Sequence, residues 1–296
     1  MSRLLDPKND FVFKKLFAES PDLLANLINA VRYDEAPVEI IEILNPRIDP
    51  EDITGKFIVL DVLARDADGR LFNIEMQVRR QAEWIERSLY YVANAYADQL
   101  KQGGNYVTLK PVIGINLLDF DLFEGKPQAH WHFKLRDETQ LAMALDHLQL
   151  HILELRKLDR QQKQLTGTLR DWILWLQHWR EDGIMNDIQH PAIHKASQQL
   201  ERLSNDEETR WRALARERAL HDEVSFVDSA RREGLQQGAE KGRNEGRAAL
   251  LAQLLTLKFG DLPDALQQLL IQADQAALEA WAERVLFAES LEDVFR

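Results

Sequence analysis

The first 31 residues carry apolar side chains at helical spacing. Apolar residues stand at 11, 13, 16 and 17, and the pattern resumes at 23, 24, 27, 28 and 31. Ser20-Pro21 separates the two parts, and proline is tolerated at the first turn of a helix but not in its interior. The pattern therefore predicts one or two amphipathic helices, interrupted near Ser20-Pro21.

Short runs of β-branched and apolar residues follow, separated by turn residues, and such runs are typical of strands. They cover residues 38–44, 57–64, 71–78 and 111–120. A helical pattern over 82–102 lies between the third and fourth runs, so the order predicts an α/β sheet layer. Two alternating runs at 130–135 and 148–155 are candidates to extend the sheet.

The chain becomes helical after these runs. Residues 168–220 have Trp and Leu at helical spacing, and the last 45 or so residues predict a compact helical module ending in a Ser290-to-Asp293 capping signal. A repeat lies between them, with glycines four residues apart at 234, 238, 242 and 246. Glycine weakens a helix, so this segment is either a linker or a helix that another helix covers, which favours a homo-oligomer.

The second and third strand runs predict a hairpin around Ala67-Asp68-Gly69. A three-residue loop with glycine at its left-handed position is a common hairpin connection. Such a loop pairs Asp66 with Arg70, and counting back along both strands places Asp61 opposite Glu75. Their Cβ atoms would then lie about 4.5–5.5 Å apart.

Alternation assigns the hairpin residues to two faces. One face is wholly apolar and is predicted to be core: Ile58, Leu60, Val62, Ala64, Phe72, Ile74, Met76 and Val78. The other holds Asp61, Glu75 and Gln77 among apolar neighbours, so Asp61 is predicted to be half-buried. Two adjacent carboxylates repel each other unless they share a proton or a cation, and Mg²⁺ suits such a pair. The alternative is that Glu75 and Gln77 line the solvent face of an ordinary hairpin.

Composition narrows the class of protein. The chain has no cysteine, which excludes disulfides and thiolate metal sites. Its formal net charge is −12, which argues against indiscriminate nucleic-acid binding. It has no apolar stretch long enough for a membrane span and no signal-peptide pattern, so we expect a cytoplasmic protein with no membrane partner.

Several sequence segments resemble the PD-(D/E)xK nuclease superfamily, and more narrowly its recombination-promoting nuclease or transposase family. These segments include LDPKNDFVFKKLF, KFIVLDV, FNIEMQ, RSLYYVANAYADQL and GGNYVTLKPVIGINLLDF. The likeness covers the first 155 residues and continues more weakly beyond them. The final module is similar to a small helical domain often appended to such proteins. The resemblance implies an α/β core with a restriction-endonuclease-like mixed sheet, followed by a helical C-terminal half.

The resemblance also implies a metal-dependent DNA endonuclease with Mg²⁺ as cofactor and DNA as partner. Asp61 and Glu75 would be metal ligands, and Asp10 would supply a third carboxylate. Gln77 stands where the superfamily usually has lysine, although this family commonly has glutamine there. Glutamine can orient the attacking water but cannot offset charge, which puts the reaction rate in doubt.

Four further residues are candidate DNA contacts by the same resemblance. Lys14 lies one helical turn after Asp10, and Lys56 opens the strand that leads to Asp61. Arg87 and Tyr91, also four apart, would point one helical face towards the site. The alternatives are a solvated ion pair for Asp10 and Lys14, a surface lysine at 56, and simple packing for Tyr91.

Other catalytic patterns are missing or weak. The histidine pairs 130/132, 147/151 and 190/194 have no acidic partner in a pattern such as HExxH, so structural roles are predicted for them. The chain has no G-x-S-x-G elbow and no P-loop, which excludes the usual serine hydrolase and NTPase motifs. Trp172, Trp175 and Trp179 are predicted to pack in a core.

The sequence thus predicts four segments. They are a nuclease-like core (1–155), a helical extension (156–230), a glycine-repeat helix or linker (231–248) and a C-terminal helical module (249–296). The predicted function is Mg²⁺-dependent DNA cleavage in recombination or mobile-element biology. The alternative is a catalytically weak descendant that acts as a DNA- or protein-binding regulatory assembly.

Overall fold

The computed structural model describes residues 4–45, 47, 61–80, 83–101, 103–140, 143–161, 165 and 167–296. Two helices open the described chain, α1 (Asp10–Ala18) and α2 (Pro21–Val31). The Asn9 side chain accepts a hydrogen bond from the Val12 N–H at the start of α1, and Pro21 occupies the first turn of α2. The predicted break at Ser20-Pro21 is therefore confirmed.

Six strands of the described chain form one mixed sheet in the order β1-β2-β3-β4-β6-β5. They are β1 (Ile40–Ile43), β2 (Val62–Asp66), β3 (Leu71–Gln77), β4 (Val112–Leu118), β5 (His130–Arg136) and β6 (Ala144–Glu154). Strands β3, β4 and β6 are parallel neighbours, whereas β1, β2 and β5 pair antiparallel. Helix α3 (Trp84–Ala97) provides the crossover from β3 to β4.

The β2–β3 hairpin has the predicted register. Val62 pairs with Ile74 and Arg65 with Leu71, while Gly69 in the loop has a φ of 83°. The described members of the predicted core face are buried, except for the half-buried Val78 at its end. The predicted strand residues 57–60 lie outside the described residues.

Helices cover both faces of the sheet. One face packs against α1, α2, α5 (Gly167–His178) and α7 (Pro191–Asn205), with Trp172 and Trp175 fully buried among them as predicted. The other packs against α3. A Cβ added to Gly114 of β4 would lie 2.8 Å from side-chain atoms of both Val92 and Leu150, so this glycine allows α3 to approach the sheet closely.

The remaining elements are helical. They are a 3₁₀ turn (Tyr106–Thr108), α4 (Leu155–Arg160), α6 (Asp182–Met185), α8 (Glu207–Phe259), α9 (Asp264–Gln272), α10 (Gln275–Arg284) and α11 (Leu291–Phe295). The predicted capping box of Ser290 and Asp293 begins α11, which confirms that signal. No helix of the described residues is long and apolar enough to cross a membrane.

The chain divides into two compact units, residues 1–221 and 222–296, and the division falls within α8. The second unit has its own apolar core around Leu255, Leu270 and Leu278. The four glycines of the repeat lie within α8, and a Cβ added to any of them would meet no atom within 4 Å apart from its chain neighbours and the nearby backbone of the same helix. The four-segment division and the homo-oligomer stay predictions.

Candidate active site

Asp61 immediately precedes β2, and Asn45 holds it in place. The Asn45 side-chain amide donates to the Asp61 carboxylate at 3.2 Å and to its backbone carbonyl at 3.3 Å. The Asn45 amide oxygen accepts from the Leu63 N–H at 2.7 Å. One asparagine after β1 therefore fixes both the backbone and the carboxylate of Asp61.

Glu75 and Gln77 lie on the same face of β3, as the alternation predicts. Glu75 is only 1 % exposed, and the Gln77 side-chain amide donates a hydrogen bond to its carboxylate. Arg87 of α3 approaches the same carboxylate, with 3.6 Å between its Nη2 and Glu75 Oε1. The solvent-face alternative is therefore wrong for Glu75.

A cleft of ≈ 430 Å³ opens beside Asp61 and Tyr91. Its lining comes from β2, β3, α3 and the residues that flank them, and it includes Asp61, Arg65, Asn73, Tyr91, Asn94, Asp98 and Gln99. Burial raises the pKa of Tyr91, nearby Arg87 opposes this, and the Glu75 and Asp61 carboxylates raise it further. Helix α3 thus places Arg87 beside Glu75 and Tyr91 near both acids, and their roles as DNA contacts stay predictions.

Lys14 and Asp10 approach the same acids from α1. Lys14 is 5 % exposed. Burial raises the pKa of Asp61, and the charge of Lys14 is the main influence that lowers it. Asp10 is held by Arg216 of α8, whose Nε and Nη2 donate to its carboxylate at 2.9 Å and 2.7 Å. The solvated-face alternative for Asp10 and Lys14 is therefore wrong, because both side chains are buried.

The two carboxyl groups on the hairpin both have raised pKa values. Burial raises the pKa of Asp61, against the opposing effects of Lys14 and Asn45. Burial raises the pKa of Glu75 to about 7, and the Asp61 and Asp10 carboxylates add to this effect against Gln77 and Arg87. Two neighbouring carboxylates are hard oxygen donors whose charge a divalent cation would neutralise, and the Gln77 amide offers a further oxygen, so these residues fit a hard divalent cation.

This shift predicts how the stability of the metal-free protein depends on pH. The folded protein holds the Glu75 proton up to a pKa of about 7, whereas the unfolded chain releases it near 4.5. The folded state therefore binds more protons between these values, and its stability falls as pH rises through 7. We expect the free energy of unfolding to lose about 2 kcal/mol between pH 5.5 and 8.5 from this group.

Urea denaturation in EDTA at the two pH values measures this loss. The Glu75→Gln variant is the control, because it keeps the shape of the side chain but replaces the titrating carboxyl group with an amide that does not titrate. If wild type and variant show equal pH dependence, Glu75 does not titrate abnormally in the folded state.

The predicted site residues are thus largely brought together. Asp61, Glu75, Gln77, Lys14, Arg87 and Tyr91 share one region of the molecule. Lys56 lies outside the described residues. Asp10 is close enough to influence Glu75 but is paired with Arg216, so its role as a third metal ligand stays a prediction.

Two features of the described chain were missed by the sequence analysis. One is the Asp10–Arg216 pair. The other is a group of three possible metal ligands, Glu35, His132 and His151. Among the described residues, this is the one group of three His or acidic side chains whose ligand atoms all lie within 4.8 Å of one another. Neither has a local sequence signal, because the partners lie far apart in the chain.

Comparison with models of protein families identifies the family to which the chain belongs. The model of the PD-(D/E)XK nuclease family transposase matches residues 7–230. Comparisons with curated proteins and with solved structures give no match. The chain therefore belongs to the PD-(D/E)XK nuclease family of transposases, and its mixed sheet with flanking helices is consistent with a restriction-endonuclease-like α/β core.

Proposed function

We propose that this family member is a Mg²⁺-dependent DNA endonuclease that acts in recombination or in the movement of mobile elements. The observation that carries the proposal is a pair of carboxyl groups, the half-buried Asp61 and the buried Glu75, whose pKa values are both raised, with an open cleft at Asp61. Such perturbed groups cluster at catalytic sites. The family membership supports DNA as the substrate.

Asp61 and Glu75 are the proposed metal ligands. A divalent ion bound there would polarise a phosphate oxygen and lower the pKa of a bound water. Hydrolysis then adds one water across a single P–O ester bond, leaving one end with the phosphate and the other with a hydroxyl. Asn45 keeps Asp61 oriented for this role through its two hydrogen bonds.

Lys14 is the proposed source of the positive charge that Gln77 lacks. Its burial leaves little surface for a DNA phosphate, but its charge already acts on Asp61. Arg87 and Tyr91 are the proposed contacts to the DNA backbone, because α3 presents both of them to the acids. Asp10 is proposed as a third ligand, which would require Arg216 to release its carboxylate.

Gln77 is proposed to orient the attacking water through its amide. We expect Gln77→Ala to lower turnover about 10- to 100-fold with little change in DNA affinity, because the lost contact forms chiefly in the transition state. Single-turnover cleavage and fluorescence anisotropy on one labelled duplex measure the two quantities. Equal losses in binding and turnover would assign Gln77 to DNA contact instead.

The function itself is tested by nicking of supercoiled plasmid DNA. The purified protein should nick the plasmid with Mg²⁺ and leave it intact in EDTA. DNA that stays supercoiled under both conditions would contradict the proposed activity.

A further inference from the structure

We propose that Glu35, His132 and His151 form a second metal site, which takes Zn²⁺ or a similar first-row divalent ion. One ligand atom from each side chain lies within 4.8 Å of the other two. Two imidazoles and one carboxylate are a donor set that suits zinc, which prefers nitrogen ligands more than Mg²⁺ does. The proposal does not depend on the nuclease activity.

The three residues come from the turn after α2 and from the edge of the sheet. His132 of β5 and His151 of β6 are directly paired across the two strands, and their rings stack with centroids 3.9 Å apart. Glu35 lies in the turn, where its N–H donates to the Arg32 carbonyl. A bound ion would therefore tie this turn to β5, the edge strand.

The group lies on the opposite face of the sheet from the candidate active site. Glu75 of β3 is in register with Asn116 of β4, and Asn116 is in register with Ile152 of β6. Residues in register share a face, and successive residues of a strand point to opposite faces. His151, the neighbour of Ile152, therefore points away from the side that holds Glu75.

The hydrogen bonds leave one nitrogen of each histidine for a ligand. His132 Nε2 lies 3.2 Å from the Gln149 amide oxygen, so it donates there and leaves Nδ1 to accept. His151 Nδ1 lies 3.1 Å from His130 Nε2, while His151 Nε2 is buried and has no hydrogen-bond partner among the described residues. Metal-binding histidines are held in this way, by a hydrogen bond on the second nitrogen.

The buried Nε2 of His151 is the observation that argues most strongly for a metal ligand here. A buried polar atom without a partner costs folding free energy, and native proteins leave few such atoms. Burial lowers the pKa of His151 to about 2, so its ring is neutral and has no extra proton to lose when a metal binds. His132 is exposed, which gives an ion access from solvent.

Glu35 must change partners to bind an ion. Its carboxylate now accepts from Arg32 and from Lys134, whose Nζ lies 3.2 Å away. Lys134 has a second acceptor at hand, because Asp146 lies 3.3 Å from the same Nζ. Ligand atoms around one zinc ion lie roughly 3.3 Å apart, so closure needs side-chain movements of about 1 Å.

Zinc titration of the EDTA-stripped, dialysed full chain by calorimetry tests the site. With Mg²⁺ in excess to occupy the Asp61 and Glu75 site, we expect one Zn²⁺ per chain and a thermal midpoint that rises on binding. His132→Ala should weaken the zinc affinity about 100-fold or more. Because His132 is exposed, this loss would not be caused by misfolding. Lys134→Met should tighten binding several-fold, because it removes the cation that competes for Glu35.

Two controls keep the result specific. His147→Ala removes another histidine of β6, which contacts Tyr96 instead, and should leave zinc affinity unchanged. Glu75→Gln should also leave it unchanged, because Glu75 belongs to the other face. The proposal is overturned if wild type takes up no zinc, if His132→Ala binds as tightly as wild type, or if Glu75→Gln alone abolishes uptake.

Discussion

Glu75→Gln should lower Mg²⁺-dependent DNA cleavage about 1,000-fold, which corresponds to about 4 kcal/mol of transition-state stabilisation. The amide keeps the size of the carboxylate and can still contact Gln77 and Arg87, but it removes the negative charge that would hold the metal. The fold should survive, because an amide suits a buried position better than a charged group does. Single-turnover cleavage of a labelled duplex at saturating protein measures the loss.

Asp68→Asn is the matched control for this change. Asp68 belongs to the loop of the same hairpin, and its side chain is 74 % exposed. Its replacement removes the same charge from the same element but leaves the site untouched, so cleavage should stay within about twofold of wild type. Wild-type rates in Glu75→Gln, or equal losses in both variants, would remove Glu75 from the active site.

Arg216→Met should cost about 3–5 kcal/mol in the free energy of unfolding of the first unit. Arg216 is 1 % exposed and donates through two nitrogens to Asp10, so its loss leaves a buried carboxylate without its partner. The freed charge also lies near Glu75, whose pKa Asp10 already raises. Urea denaturation at pH 7.5 measures the cost.

Two further variants separate the ion pair from general damage to α8. Arg212→Met lies one turn earlier and breaks the pair of a half-buried arginine with the exposed Glu208, so it should cost less than about 1 kcal/mol. Asp10→Asn combined with Arg216→Met should recover part of the stability, because no unpaired buried charge remains. Equal losses in the free energy of unfolding for the two arginine variants would mean that the Asp10–Arg216 pair stabilises the fold no more than the Glu208–Arg212 pair does.

The sequence was sufficient to predict features that depend on neighbouring residues. The turn signal at Ala67-Asp68-Gly69 fixed the hairpin register, and strand alternation then placed Glu75 and Gln77 together. Proline at 21 and the Ser290 capping signal correctly marked the first residues of two helices. In each case the information lies within a few residues, where backbone geometry limits the possible structures.

Features that depend on distant contacts were not predictable from one sequence. Asn45 holds Asp61 from 16 residues away, and Arg216 holds Asp10 from 206 residues away. The group of Glu35, His132 and His151 is likewise formed only when the turn after α2 meets the sheet edge. No periodicity or turn signal encodes such partners, so the ion pair and the histidine group emerge only from the tertiary structure.

The most direct test of the central claim compares plasmid nicking by wild type and by Glu75→Gln, purified identically, across a Mg²⁺ titration. We predict nicking by wild type that rises with Mg²⁺ and stops in EDTA, and no nicking by the variant, which also excludes a contaminating nuclease. DNA binding by anisotropy should be retained in both proteins. Wild-type protein that binds DNA but leaves the plasmid supercoiled at every Mg²⁺ concentration would contradict the claim and favour a regulatory binding protein.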